Sequence, residues 1–369
     1  MVNEQMTSHA SDEQRTRDRE IKRNRVLSIL RDRGAKSVVL TSDTALNWYL
    51  DGGRYHVNLS VASLIALRIG YDEDVLFLTS NERERLVAEE LPDGLEIVAR
   101  PWYEDLPASL AVYPTDLTEA DIQDELRAAR AVLLPGELTR YRELCLTTAE
   151  LMTDAMLLAE PMWTEQQLAA DIASRLIQRG IDALVVLVGG ESRQTFPHPL
   201  PTSEPLGQRA LLVVGARKDG LIANASRWVT FSELSHEEHE RQERLLSVEA
   251  NIFQHMLPGT PLRDILDVIK RSYKENGFSH NQWALHHQGG AAGYAGRDPR
   301  ATPNSDDIVH LDQAFAWNPW VPGAKVEDTI LLRGEKSSGE ETCIDILTED
   351  PRWPTTTING YQRPVPLER

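Results

Sequence analysis

The chain has 369 residues, of which 41% are apolar and 26% charged, a composition typical of a soluble globular protein. This length suggests about two domains. The formal net charge of −18 argues against nucleic acid and anionic membranes as partners, since both attract clustered Lys and Arg.

The sequence also lacks the usual signals for targeting and for cysteine chemistry. No apolar run reaches the roughly 18 residues of a transmembrane helix, and the polar start MVNEQMTSHASDEQ contains no signal-peptide core. Two cysteines occur, without CxxC spacing, which excludes a cysteine-based zinc site. We therefore expect a cytoplasmic protein.

The first part of the chain predicts a disordered tail followed by an α/β domain. We assign residues 1–18 to the tail and residues 19–138 to the domain, because short apolar strands alternate there with helical patterns. The predicted elements are a helix at 19–34, strands at 37–40, 63–69, 75–80 and 96–102, helices at 82–91 and 107–130, and a strand from 131 that leads to the domain junction near 135–141.

Residues 139–369 predict a second domain in which one arrangement occurs twice. Long helices are expected at 141–158 and 237–256, each followed by a second helix, at 164–180 and from 258 to 277. Thr164 and Gln167 form the capping-box pattern of a helix start. Strands are expected at 183–190, at 283–287, 308–317 and 326–332, and as a hairpin over 209–231. The repeat predicts an α+β fold with a pseudo-twofold axis and a site between its halves.

Four segments carry a resemblance to a known family. Residues 213–227 (VVGARKDGLIANASR) are similar to a D-x-G-x-x-x-x-G-x-x-x-D-x-x-R motif, and GGAAG (289–293), WNP (317–319) and VEDTILL (326–332) follow where that family has G-H-x-x-G, E-P and x-E-D-x-x-x-V. The chain therefore resembles the M24 peptidases, which include Xaa-Pro aminopeptidases and creatinases. NWYLDG (47–52) is similar to part of their extra N-terminal domain. The resemblance implies a pita-bread fold.

The same resemblance implies that the family's metal site is lost. Members that bind two metals use two Asp, one His and two Glu. At those positions this chain has Val213, Asn224, Gly290, Asn318 and Glu327. One carboxylate does not offset the dehydration of two divalent cations. We therefore predict neither a catalytic metal nor any other cofactor.

Two residues are the candidates for catalysis. His198 lies in the segment TFPHP and corresponds to the histidine that acts as general acid/base in the metal-free creatinases. An imidazole that titrates near pH 7 suits such proton transfer. Glu327 is its candidate carboxylate partner. Creatinases have a second glutamate where this chain has Ser226, which argues against a guanidinium substrate.

The remaining candidates would bind a small polar substrate. Adjacent His286 and His287 would point to opposite faces of the predicted strand, so that one of them faces the site. Amides that replace acids can bind a carboxylate or an amide, and arginines can bind an anion. In the family, a partner subunit's N-terminal domain reaches the active site, which implies a homodimer. The candidate binding residues are Asn224, Asn318, His286, His287, Arg297, Arg193 and, from the partner, Arg54 and Tyr55.

Three functions agree with these residues. The first is a metal-independent, creatinase-like hydrolase acting on a C–N or amide bond. The second is a non-catalytic pseudopeptidase that binds a ligand or partner, which a pocket lined by apolar side chains would favour. The third is a metal-dependent Xaa-Pro aminopeptidase whose ligands lie elsewhere in the sequence.

Overall fold

The computed structural model describes residues 2–60, 63–104, 106, 116–334 and 342–369, with side chains from residue 13 onward. The chain divides into two compact units. One comprises Met1–Thr139 with Asp219–Leu221, and the other comprises Arg140–Lys218 with Ile222–Arg369. The junction expected between residues 138 and 139 lies one residue from this division.

The first unit is built on a mixed five-stranded sheet. Its strands lie in the order β4-β3-β2-β1-β5, with β1–β2 and β2–β3 antiparallel and the two outer pairs parallel. The strands are β1 (Ser37–Leu40), β2 (Ile65–Gly70), β3 (Asp74–Thr79), β4 (Glu96–Arg100) and β5 (Leu117–Thr118). Further helices span Asp43–Tyr49, Arg83–Glu89 and Gln123–Ala131. The Ser42 side chain caps the first of these by accepting a hydrogen bond from the Ala45 N–H.

Two expectations for this unit were wrong. In place of a disordered tail over residues 1–18, a helix spans Val2–Arg33, and the buried Asp18 carboxylate accepts a hydrogen bond from the Gly136 N–H at 2.9 Å. In place of a strand after residue 131, the chain starts the helix Pro135–Leu158. Proline is tolerated in a first helical turn, and the Glu137 carboxylate accepts the Leu134 N–H at 2.7 Å. Residues 107–115 of the predicted helix 107–130 lie outside the described residues.

The second unit contains the predicted repeat of two helices followed by a sheet. The first half has helices Pro135–Leu158 and Glu165–Gln178, and the second has His236–Gln254 and Leu262–Glu275. The first half's strands are β6 (Asp182–Gly189), β7 (Arg209–Lys218) and β8 (Leu221–Thr230), to which β17 (Leu367–Glu368) adds at the edge. The second half's strands are β9 (Gly289–Ala292), β10 (Gln313–Trp317), β11 (Trp320–Val321), β12 (Ala324–Lys325), β13 (Asp328–Gly334), β14 (Thr342–Ile346), β15 (Thr355–Ile358) and β16 (Tyr361–Pro364).

Local signals in the sequence explain where these elements begin. Thr164 with Gln167, as predicted, and Ser235 with Glu238 form complete capping boxes at the second and third helices. Gly220 has φ +78° in the β7–β8 turn, and a Cβ there would lie 2.4 Å from the Asn47 Cβ, so this position requires glycine. The second half buries a continuous apolar core that includes Leu245, Phe253 and Phe315.

A buried ionic network supports the segment that carries the site. Arg363 is fully buried and contacts both Glu249, at 2.5 Å, and Asp328, at 2.8 Å. Arg227 contacts the other oxygen of Asp328 at 2.8 Å. These contacts hold the start of β13, directly after Glu327. No helix in the described parts of the chain is long and apolar enough to cross a membrane.

Candidate functional site

One backbone contact brings the candidate residues of both halves together. Ser226 of β8 donates its N–H to the Glu327 carbonyl at 2.9 Å, in an antiparallel bridge. The Asn224 N–H likewise donates to Thr329 Oγ1 at 2.8 Å. Because side chains alternate along extended chain, Asn224 and Ser226 lie on the same face as Lys325 and Glu327. This common face is the floor of the candidate site.

The residues at the family's metal positions do not fit a metal. Val213 packs in an apolar cluster with Leu187, Leu211 and Trp228. Gly290, at the histidine position, has φ +151°, and a Cβ there would lie 2.3 Å from the Pro299 carbonyl oxygen. Neighbouring backbone therefore fills the space that an imidazole would need.

The other metal positions are also without a usable ligand set. The Asn224 amide donates to the Ile222 carbonyl at 3.3 Å. Asn318 is 2% exposed, and its Oδ1 has no hydrogen-bond partner among the described residues. Glu327 is buried, and its carboxylate forms an ion pair with the Arg297 guanidinium. A guanidinium therefore occupies one side of the Glu327 carboxylate, which is the one carboxylate at the five metal positions.

Three histidines form the most distinctive part of the site. Among the described residues, His198, His286 and His287 are a group whose ligating atoms all lie within 4.8 Å of one another. His286 Nε2 lies 3.1 Å from His198 Nε2, and the rings of His286 and His287 stack with centroids 4.5 Å apart. His198 is exposed, whereas His286 is 6% exposed. We refer to these three residues as the histidine cluster.

The expectation that His286 and His287 point to opposite faces was wrong. The segment is not a strand; the short helix Gln282–Leu285 precedes it, and His286 follows as an extended residue. Without a continuing strand, alternation does not apply, and both rings contact His198, with centroids 4.7 Å and 5.6 Å from it. Gln288 fixes the turn by donating to the His286 carbonyl at 2.7 Å.

The surroundings of the cluster favour neutral imidazoles. Burial is the largest cause that lowers the pKa of all three histidines, and nearby cations add to it. Burial with Arg297 and Arg300 lowers the pKa of His287 to about 3. For His198, the second cause is the Lys325 ammonium. At neutral pH each ring therefore carries one proton and one lone pair.

Lys325 determines where those protons lie. Its Nζ is 3.5 Å from His286 Nε2, and burial lowers its pKa to about 8, so at pH 7 it is mainly an ammonium. An ammonium only donates hydrogen bonds. His286 Nε2 is therefore an acceptor, and its single lone pair is shared by Lys325, at 3.5 Å, and by the closer His198 Nε2, at 3.1 Å, which must be a donor. This arrangement leaves the lone pair of His198 on Nδ1.

Three other predicted binding residues have structural contacts instead. Arg193 contacts the buried Glu165 and donates to the Leu200 carbonyl at 2.9 Å, so its charge is already used within the loop. Tyr55 is fully buried and donates to the Gly52 carbonyl at 2.7 Å, which rules it out as a residue that visits a partner. Arg54 is exposed but pairs with Glu90 at 2.6 Å.

Lys325 was not among the residues predicted from the sequence. The signal was present, since Lys325 precedes Glu327 by two residues and therefore shares its face. Sequence alone gave no sign that this lysine is only 2% exposed.

Comparison with known proteins agrees with this architecture. The model of metallopeptidase family M24 matches residues 139–334, more than half of the chain. The chain belongs to metallopeptidase family M24. A curated member, an uncharacterized peptidase from Staphylococcus aureus strain MRSA252, is 23% identical over 184 residues, covering 47% of this chain. The match spans 51% of that relative's length.

Solved structures of this M24 protein's neighbours share its fold. The prolidase from Pyrococcus horikoshii OT3 has a TM-score of 0.74 at 13% identity, covering 90% of this chain and 99% of the prolidase. An X-Pro aminopeptidase from Thermotoga maritima MSB8 has a TM-score of 0.68 at 15% identity, covering 86% and 97%. These likenesses confirm the pita-bread fold with an N-terminal domain.

Proposed function

We propose that this M24 protein is a metal-independent hydrolase that cleaves a C–N or amide bond of a small polar substrate, with His198 as general acid and base. The observation that carries the proposal is the histidine cluster, in which one exposed neutral imidazole is held by a buried one. The poor fit of the family's metal positions supports the same proposal, since Glu327 is bound by Arg297.

The proton positions define what His198 does. Its Nδ1 accepts a proton from the attacking water, whose oxygen then bonds to the substrate carbonyl carbon. The same Nδ1 returns the proton to the leaving nitrogen as the C–N bond breaks, so protons balance over one turnover. His286 holds the imidazole by accepting from His198 Nε2, at 3.1 Å. It is a positioning residue.

Glu327 and Arg297 act as a pair beside this centre. The Glu327 side chain is 5% exposed and the Arg297 side chain 7%, so their charges are weakly screened. In this proposal Arg297 stabilises negative charge that develops on the substrate carbonyl oxygen. Glu327 fixes Arg297 for that role. Asn224 and Asn318 are the polar contacts for the uncharged part of the substrate.

The test is a screen of small amides, dipeptides and guanidino compounds against the wild type, His198→Gln and the exposed-histidine control His280→Gln. General acid/base catalysis contributes about 10²–10⁴-fold, so His198→Gln should lose at least about 100-fold while His280→Gln matches the wild type. Treatment with a chelator should leave the wild-type rate unchanged. Activity that a chelator abolishes and an added metal restores would establish a metal-dependent enzyme.

A second candidate function is a non-catalytic pseudopeptidase that binds a ligand. The apolar cluster around Val213, at a former ligand position, favours it. Under this alternative, the wild type turns over no compound of the screen, and His198→Gln binds the same compounds as the wild type does. Turnover by the wild type that depends on His198 excludes it.

A further inference from the structure

The site holds a buried positive charge with no carboxylate at ion-pair distance among the described residues, although Glu327 acts on it from further away. Lys325 is 2% exposed, and the ion pairs among the described residues do not include it; its hydrogen bond is to the uncharged His286. An isolated ammonium removed from water costs several kcal/mol, so buried lysines are normally paired. His286 takes one of the three N–H groups of this ammonium.

The neighbouring charges do not balance it. Glu327 is paired with Arg297, and Arg297 and Arg300 act on the histidine cluster as further positive charges. Lys325, Arg297 and Glu327 sum to plus one, and Arg300 adds a further positive charge. Several buried polar atoms of this region also have no partner among the described residues; they are Arg297 Nε, His286 Nδ1, His287 Nδ1, Ser226 Oγ and Asn318 Oδ1.

We propose that Lys325 is the anchor of an anion subsite, and that the ligand of this site carries a carboxylate whose charge the buried ammonium pairs with. The carboxylate would accept hydrogen bonds from the N–H groups of Lys325 that His286 leaves free, and it would offset excess positive charge in the site. This inference rests on the proposed function for the carboxylate's place in the substrate. It assigns a specificity-determining role to a residue at none of the family's metal positions.

A transition-metal ion in the histidine cluster is the competing occupant. Ligands of one zinc ion at about 2.0–2.1 Å can lie as close as His198 Nε2 and His286 Nε2 do, at 3.1 Å. However, the Lys325 Nζ lies 3.5 Å from the same His286 nitrogen, and a dication would be repelled by it. The lone pair that the metal needs is already the acceptor for this ammonium. The local charge therefore favours an anion.

The experiment compares two ligands that differ in charge but little in shape, N-acetylglycine and N-acetylglycinamide. Binding is followed at low salt and pH 7 by calorimetry or by tryptophan fluorescence, since the Trp320 ring lies 6.2 Å from His286. The wild type should prefer the carboxylate at least about tenfold, as a charge-assisted contact requires. Lys325→Met should reduce the preference to below about threefold, and Lys325→Arg should retain most of it.

Two controls separate the subsite from folding and from catalysis. Lys218→Met, at an exposed lysine of β7, should keep the wild-type preference, and equal melting temperatures of the variants would exclude misfolding. Binding in His198→Gln should remain, since that variant keeps the ammonium. An active His198→Gln would therefore refute the catalytic proposal while leaving the subsite standing.

Two results would overturn the subsite. The first is equal affinity of the wild type for the acid and the amide, or an unchanged preference in Lys325→Met. The second is stoichiometric binding of Zn²⁺ by the wild type that is lost in His286→Ala and tightened in Lys325→Met, which would establish the metal as the occupant.

Discussion

The substitution Arg363→Met tests whether the buried ionic network holds the site segment in place. Arg363 is fully buried, donates to Glu249 from Nε at 2.7 Å and donates to Asp328 at 2.8 Å. Methionine keeps the contact with the Phe253 ring, over which the guanidinium lies at 5.3 Å, but removes the charge. Asp328 retains Arg227 and the Thr348 hydroxyl, at 2.8 Å and 2.6 Å. Glu249 retains no partner among the described residues.

The expected loss in the free energy of unfolding is about 3–5 kcal/mol at pH 8, the cost of leaving one partner of a buried ion pair uncompensated. Burial already raises the pKa of Glu249 to about 7, and losing Arg363 raises it further. A carboxyl group whose pKa is higher in the folded than in the unfolded chain stabilises the fold most below its unfolded pKa, here near 4.5. That contribution to stability is lost as the pH rises through the folded pKa. The destabilisation should therefore shrink at pH 5.

Urea unfolding followed by circular dichroism and tryptophan fluorescence measures this loss. Arg142→Met is the matched control, since Arg142 also makes a long-range ion pair, to Asp345 at 2.6 Å, but is 42% exposed. Such a pair contributes about 0–1 kcal/mol. The double variant Arg363→Met/Glu249→Gln should recover about 1–3 kcal/mol by removing the stranded charge. A loss in Arg363→Met no greater than in the control would show that the network does not stabilise the fold.

The remaining predictions concern the histidine cluster, Gly290 at the family's metal-binding histidine position, and the Thr164 cap of the helix Glu165–Gln178. The pKa of His287 is lowered to about 3 by burial and by Arg297, Arg300, Lys325 and His198, so the unfolded chain binds protons that the folded one does not. As the pH falls from 6 to 4, the free energy of unfolding of the wild type should decrease more steeply than that of His287→Gln, by up to about 1.4 kcal/mol per pH unit. Urea unfolding at each pH measures this, and equal pH dependence of the two proteins would contradict it. Gly290→Ala places a Cβ 2.3 Å from the Pro299 oxygen, at a residue with φ +151°. It should lower the free energy of unfolding by more than the roughly 1–3 kcal/mol of backbone strain alone. Gly296→Ala is the control and should have little effect, because a Cβ there meets no atom within 4 Å. Thr164→Ala removes a cap that accepts the Gln167 N–H at 3.1 Å and should cost about 1 kcal/mol in thermal or urea unfolding, with Thr139→Ala, at an exposed helix position, as the comparison.

The sequence predicted the elements that local chemistry determines. The capping box at Thr164, the hairpin of β7 and β8, and the repeat of paired helices are each determined by residues within a few positions of one another, and the structure confirms them. The start of the helix Pro135–Leu158 was missed, because the apolar run from residue 131 suggested a strand and the helix was expected only from residue 141. There the proline and the Glu137 carboxylate at the helix start outweighed the apolar pattern.

The parts of the site that depend on distant contacts were less predictable. Both His286 and His287 contact His198 because a short helix ends just before them, and a periodicity of two gave the wrong geometry. Arg297 lies 30 residues from Glu327 in the sequence, so their pairing has no local signal. Tyr55 was expected to be accessible, but its burial is set by packing in the first unit.

The charges at the family's metal positions can be compared with those of the cationic side chains Arg297 and Lys325 in this site. Two Asp and two Glu around two divalent ions sum to zero, and the replacements here remove three of those four carboxylates. Glu327 with Arg297 and Lys325 gives a sum of plus one, so the positive charge that the family takes from metal ions is supplied here by side chains. On the proposed anion subsite, this excess positive charge disfavours a cation and favours a carboxylate. Under the proposed function, the residues Val213, Asn224 and Asn318 and the burial of Lys325 belong together, because each favours an anion over a cation in this site.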